Sequence, residues 1–274
     1  MAEDLPDAIF HPVSGAPPRS SAEGEEFVPT ALARGPWDPN AQHGGAPSAL
    51  LARALERHEA ESAGQVARMT VELLRPVPLG PLTVRTRTIR PGRKVQLVEA
   101  GLFSGETEVA RATGLRVREK ALELPAGAAP RDRLETGPGD GSPMPFDRVA
   151  DTSFADAMDI EAIVGAPGLA GPGSAWFRLR VPVVAGEETS PLQRVAAAAD
   201  FGNGISSVVD WDDGWLFINP DLTVHLHRYP VGEWVALAAT TFAGGTGVGM
   251  AEAALFDTRG RIGRSVQSLL FDHP

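Results

Sequence analysis

The residues that could do chemistry fall into a few short groups. His43-Gly44-Gly45 precedes an apolar stretch with helical spacing, and backbone N–H groups at a helix start lack intrahelical partners. The helix dipole favours negative charge there, and two glycines allow close approach, so this segment could stabilise an oxyanion. Asp200, in Ala199-Asp200-Phe201-Gly202-Asn203-Gly204, reads on residue types alone as a cap or turn carboxylate. Asn219-Pro220 is a good turn pair, and Gln267 reads as a polar strand residue facing solvent. His225 and His227, two apart, would share a strand face and could bind a metal. No third ligand is evident, so a structural or interface role is favoured and no metal is expected. Arg90, Arg93 and Lys94 fall at a predicted turn, where they could meet phosphates.

Composition removes several classes of chemistry. The 274 residues include no cysteine, which excludes disulfides, thiolate-bound metals and cysteine nucleophiles and fits a reducing compartment. A formal charge of −10 argues against nucleic-acid binding, which runs on Lys and Arg neutralising phosphates. No apolar run reaches the roughly 18 residues needed to cross a bilayer, and the acidic Met1-Ala2-Glu3-Asp4 start carries no secretory pattern. The expectation is a cytoplasmic protein with no membrane contact.

What positions these groups is a repeat. Thr70-Val71-Glu72-Leu73-Leu74-Arg75 resembles Thr223-Val224-His225-Leu226-His227-Arg228, a displacement of 153 (223 − 70). Without gaps, residues 70–111 match 223–264 at 12 of 42 positions, where unrelated sequences would give roughly two or three. Shared strand composition does not explain matching Arg, Glu and Gly, so the chain is read as a duplication. The first copy predicts a helix from Gly44 to Glu61, then strands near 66–75, 82–90, 94–104 and 107–118. The second predicts strands near 157–164 and 173–184 and a helix from Leu192 to Val209. Further strands are expected near 221–228, 233–242, 246–257 and 260–271. The Pro-, Gly- and Asp-rich stretch between the copies reads as a linker. One helix feeding antiparallel strands, twice over, is α+β, with copies at 1–120 and 151–274 and the linker at 121–150.

The segment Gly35-Pro36-Trp37-Asp38-Pro39-Asn40-Ala41-Gln42-His43-Gly44-Gly45, running into Pro47-Ser48-Ala49-Leu50-Leu51, resembles the approach to the central helix in acyl-CoA thioesterase II-like (TesB-like) proteins. So do Ala199 to Gly204, Leu222 to Arg228, Gly232-Glu233-Trp234 and Gly263 to Leu270. The resemblance implies a double hotdog, two tandem antiparallel sheets each wrapped around a central helix, and hydrolysis of an acyl-CoA thioester without a cofactor. In that family a carboxylate, a Gln and a hydroxyl residue bind the attacking water. The carboxylate carries over to Asp200, the candidate base, the Gln to Gln267, and the hydroxyl position falls on Asn219, a departure from the pattern. Gln267 and Asn219 would hold the water in line. His43, Gly44 and Gly45 would line the oxyanion and substrate side, with the backbone weighted above the imidazole; Arg90, Arg93 and Lys94 would face CoA phosphates.

Two rivals stand beside this reading. Asp38 and His43 have the Asp-x4-His spacing that hotdog enoyl-CoA hydratases resemble, although Gly44-Gly45 follows where they carry an Asp. A non-catalytic acyl-CoA binding protein would accommodate Asn219. Gly114 stands where the second copy has Gln267, so one complete site per chain is expected, in a homo-oligomer assembled through sheet edges.

Overall fold

The alternation that marks strands in the sequence becomes an alternation of burial. The computed structural model describes residues 5–13, 24–60, 63–128, 130, 132–144, 146, 152–166 and 168–273. The strands are β1 (Phe10–Pro12), β2 (Glu25–Pro29), β3 (Gly64–Leu73), β4 (Leu82–Arg90), β5 (Val95–Ser104), β6 (Thr107–Arg118) and β7 (Ser142–Pro143). They continue as β8 (Met158–Val164), β9 (Gly173–Leu179), β10 (Leu216–Ile218), β11 (Asp221–Leu226), β12 (Val235–Ala243), β13 (Val248–Asp257) and β14 (Gly260–Asp272). The helices are α1 (Gly45–Arg57), α2 (Pro191–Ala199) and the short α3 (Gly202–Ile205). On β14, Ser265, Gln267, Leu269 and Phe271 point inward, whereas Arg264, Ser268 and Leu270 are exposed. This is the period-two pattern of a sheet with one covered face.

All the strands join one sheet, in the order β1-β2-β4-β5-β6-β3-β11-β14-β13-β12-β9-β8-β7, with β10 added beside β14. Displaced by 153 residues, β4 and β5 coincide with β12 and β13 end to end, and β6 with all but the last residue of β14. The halves meet at β3 and β11, where Thr70 pairs antiparallel with its own repeat equivalent Thr223. Their hydroxyls are 3.2 Å apart. A local two-fold axis therefore passes between them, and the strands run outward from it in matching order.

The two long helices are buried inside the curl of the sheet. From Gly45 to Leu55 every residue of α1 is buried, as are Val195 to Ala199 of α2. Small residues let them approach: a Cβ on Gly45 would lie 2.8 Å from the Ala197 carbonyl oxygen. The N-terminus of each helix meets the last turn of the other, Gly45 against Ala197 and Ser190 (the α2 N-cap) against Glu56. Each copy thus offers its helix N-terminus to a side chain from the other.

Several boundaries differ from the sequence reading. The first helix stops at Arg57, because His58 turns to an extended conformation. The helix expected over Leu192 to Val209 is broken in two at Asp200-Phe201. There the Gln267 side chain donates to the Asp200 carbonyl (3.2 Å) and accepts from the Asn203 N–H (3.3 Å), replacing helical bonds. Gly202 permits it, since a Cβ there would fall 2.6 Å from Gln267 Oε1. The strand expected over 173–184 ends at Leu179, and the short β1, β2, β7 and β10 carry too few residues to show a period. Within the stretch read as a linker, β7 pairs with β8, and Thr136 accepts from Trp176 Nε1 at 2.9 Å. Among the described residues no helix is long and apolar enough to cross a membrane.

Candidate active site

The break in the second helix leaves Asp200 at its end, aimed at the N-terminus of α1. Its side chain is 4% exposed and ringed by donors. Oδ1 accepts from Asn219 Nδ2 (2.8 Å) and Gln267 Nε2 (3.3 Å), and Oδ2 lies 3.0 Å from His43 Nδ1. Burial alone would raise the carboxyl pKa, but the His43 imidazole, the Asn219 amide and the Gly45 N–H together hold it below the usual carboxylate range. Asp200 is therefore a buried anion at neutral pH, further favoured by the α1 dipole. Gly44 makes the approach possible: a Cβ there would sit 2.8 Å from Oδ2.

His43 reaches Asp200 across the interface between the copies. Its ring packs against both Phe154 and Phe201, with centroids 4.9 and 4.5 Å away. Asp38, its sequence neighbour in the Asp-x4-His spacing, instead accepts from the Asn40 N–H at 2.8 Å as a turn residue. The imidazole–carboxylate pair is formed in space by residues 157 apart in the chain (200 − 43), not by the local pair.

Most of this cluster lines a cavity of about 450 Å³. His43, Gly44, Asp200 and Asn219 border it, and its far walls are largely apolar, with Trp37, Leu73, Val77 and Phe217 among them. Trp37 packs edge-on against Phe217 with centroids 5.3 Å apart. Among the described residues the Gly44 N–H has no hydrogen-bond partner, leaving a donor at the cavity wall. Such a site combines an apolar slot, a fixed anion, an imidazole and a free helix-start amide, which suits addition of water to a carbonyl.

Of the residues singled out in the sequence, Asp200, Gln267, Asn219, His43, Gly44 and Gly45 converge here. Gln267 is 1% exposed and braces Asp200 from behind, away from the cavity wall and not facing solvent as its residue type alone suggests. Arg90, Arg93 and Lys94 lie at the β4–β5 turn and do not border the cavity. His225 and His227 are exposed on the β11 side, and among the described residues no group of three His, Cys, Asp or Glu gathers for a metal. Sequence reasoning missed Arg75, an exposed guanidinium at the cavity with no side-chain partner among the described residues. The signal was in the repeat. Its equivalent Arg228 is clamped by Asp257, Nη2 to Oδ1 at 2.7 Å, whereas the first copy has Ser104 where Asp257 stands. Arg75 has no such carboxylate beside it in the repeat.

Comparison with solved structures gives the fold class. The chain resembles a conserved protein of unknown function with hot dog fold from Alicyclobacillus acidocaldarius, at TM-score 0.70 and 16% identity over 91% of this chain and 94% of that one. It also resembles a candidate thioesterase II from Thermobifida fusca YX (TM-score 0.69, 19% identity, 90% and 92% covered). A third is the acyl-CoA thioesterase II TesB2 from Mycobacterium marinum (0.65, 15%, 89% and 96%). The protein has a hotdog fold. Residues 33–117 match the acyl-CoA thioesterase N-terminal domain model, and residues 138–271 the C-terminal one. The chain belongs to the acyl-CoA thioesterase family, whose members are hydrolases of thioester bonds. No curated protein sequence matches it.

Proposed function

We propose that this chain is a double hotdog, its copies at 1–120 and 151–274 joined by 121–150, that hydrolyses an acyl-CoA thioester by direct attack of water at Asp200. A thioester carbonyl is already electrophilic, so hydrolysis needs a placed water, a proton acceptor and a donor for the developing oxyanion. The observation that carries this reading is the buried Asp200 carboxylate, ringed by hydrogen-bond donors and facing the start of α1 beside an apolar cavity. The acyl chain occupies the cavity, with Asn219 and the carboxylate beside the water, Gln267 fixing the carboxylate, and the Gly44 N–H receiving the oxyanion. Losing one such donor typically costs about 2.7–4 kcal/mol of transition-state stabilisation. The site is single. At the repeat position of Gln267, a Cβ on Gly114 would lie 3.0 Å from Leu55 Cδ1, so an apolar side chain fills that space.

A panel of acyl-CoA esters assayed for free thiol release tests the activity, with crotonyl-CoA included. Thiol release from at least one ester supports thioester hydrolysis. Conversion of crotonyl-CoA to its 3-hydroxy product, with every thioester left intact, would replace it by hydration.

The phosphate-bearing end of CoA is assigned to Arg75 at the cavity mouth, in place of the β4–β5 turn. A charge-assisted hydrogen bond contributes about 1.5–3 kcal/mol, so Arg75→Ala is expected to raise KM for an acyl-CoA roughly tenfold. KM for the matching acyl-pantetheine, which lacks the phosphates, should not change. An equal rise for both substrates would show that Arg75 does not read phosphate.

A further inference from the structure

The donors around Asp200 leave open which group takes the proton of the attacking water. A carboxylate offers about four acceptor directions, and Asn219, Gln267, His43 and the Gly45 N–H already approach this one. Such an anion is a poor base, because every donor that stabilises it also lowers its affinity for a proton.

The geometry around His43 fixes its hydrogens. Nδ1 has two polar neighbours, Asp200 Oδ2 at 3.0 Å and the Gly45 N–H, which is directed at it from 3.1 Å. An ionised carboxylate can only accept, so a bare Nδ1 would set two lone pairs against each other. The neutral ring can keep only one of these contacts. A hydrogen on Nδ1 makes a charge-assisted bond to the Asp200 carboxylate, stronger than the neutral contact from the Gly45 N–H that it displaces. That N–H also lies against the carboxylate. In the neutral ring this leaves the lone pair on Nε2, which has no partner among the described residues, in a side chain that borders the cavity. Phe154 and Phe201, whose own centroids are 5.8 Å apart, both pack against the imidazole and restrict its movement.

We infer that His43 is the proton-transferring residue of this site, with Asp200 orienting its ring and stabilising the cation it becomes. The inference rests on the thioesterase reading above. As the water oxygen bonds to the thioester carbon, its proton passes to Nε2 and the carbonyl oxygen becomes the oxyanion. When the tetrahedral species collapses, the C–S bond breaks and the Nε2 proton goes to the departing sulfur. Acid and thiol leave, and His43 returns neutral. No other reactant is consumed. The first copy thus supplies the base and the second its partner, which gives the duplication a chemical reason.

The test uses the acyl-CoA ester that the unmodified chain turns over fastest, with His43→Ala and His43→Asn compared under identical conditions. Asn can keep a donor toward Asp200 but has no basic nitrogen. Both variants are expected to lose at least ~10²-fold in kcat, at the low end for general-base removal, at near-unchanged melting temperature. Free imidazole should restore at least tenfold to His43→Ala by occupying the vacated space. Near-full activity in His43→Asn would reduce the ring to a prop for Asp200 and overturn the inference, as would inactive, folded variants indifferent to imidazole. An unmodified chain that releases no thiol from any ester would instead remove the thioesterase reading itself.

Discussion

Asp200→Asn is expected to lower kcat at least ~10²-fold, the low end for losing a group on which proton transfer depends, while the chain keeps its fold. The substitution hardly changes shape but removes the charge. It also turns one acceptor oxygen into a donor, in a pocket where His43, Asn219, Gln267 and the Gly45 N–H already donate. One donor would then face another in a buried site, and the His43 ring would lose the partner that fixes its tautomer. The check is kcat on an acyl-CoA ester together with thermal unfolding. Activity within threefold of the unmodified chain would take Asp200 out of the mechanism.

The second large effect concerns stability. Arg53 on α1 has a 4% exposed side chain clamped between carboxylates, at 2.6 Å from Glu187 Oε2 and 2.8 Å from Glu25 Oε2. Glu25 lies on β2 of the first copy and Glu187 on the approach to α2 of the second, so this one cation ties the halves together. Arg53→Met keeps the apolar stem and deletes the charge. Breaking a buried pair costs about 3–5 kcal/mol, and the carboxylates retain nearly a third of their exposure, which puts the expected loss near about 3 kcal/mol. The hydrogen bond from Arg53 holds the Glu187 carboxyl below its ordinary range, against its burial. A depressed acid stabilises the fold above its unfolded pKa, about 4.3, and loses that contribution as pH falls through its folded value. Urea unfolding should therefore show a gap between the two chains that is full at pH 7 and narrows below about pH 4. A constant gap would mean that lost packing, not charge, is responsible. The variant should keep its kcat, because Arg53 lies two turns along α1 from Gly45.

The repeat was the most legible part of the fold, for a reason visible in the sheet. Thr70 and Thr223 face each other on the two-fold axis, so the best-matching segments are those whose environments are duplicated. The helix break was not legible, because Ala196 to Ala199 continue helical composition up to Asp200 and the cause is a side chain 67 residues away, Gln267. The members of the site could be proposed from family resemblance. Their division of labour could not, since which atom faces which depends on three dimensions. His43 shows this well: its sequence neighbour Asp38 caps a turn, while its functional partner comes from the other copy. Arg75 was hidden by its ordinariness, one exposed arginine among several, until its repeat equivalent proved to be paired and it did not.

The account depends on water, not a side chain, attacking the thioester at Asp200. A single turnover in H₂¹⁸O with enzyme in excess over acyl-CoA, read by mass spectrometry of the released acid and of the peptide bearing Asp200, tests this directly. One solvent oxygen in the acid and none in the peptide is the predicted result. Label in the Asp200 carboxyl, with unlabelled acid released in that first turnover, would instead establish a covalent acyl-aspartate and contradict the direct-attack mechanism.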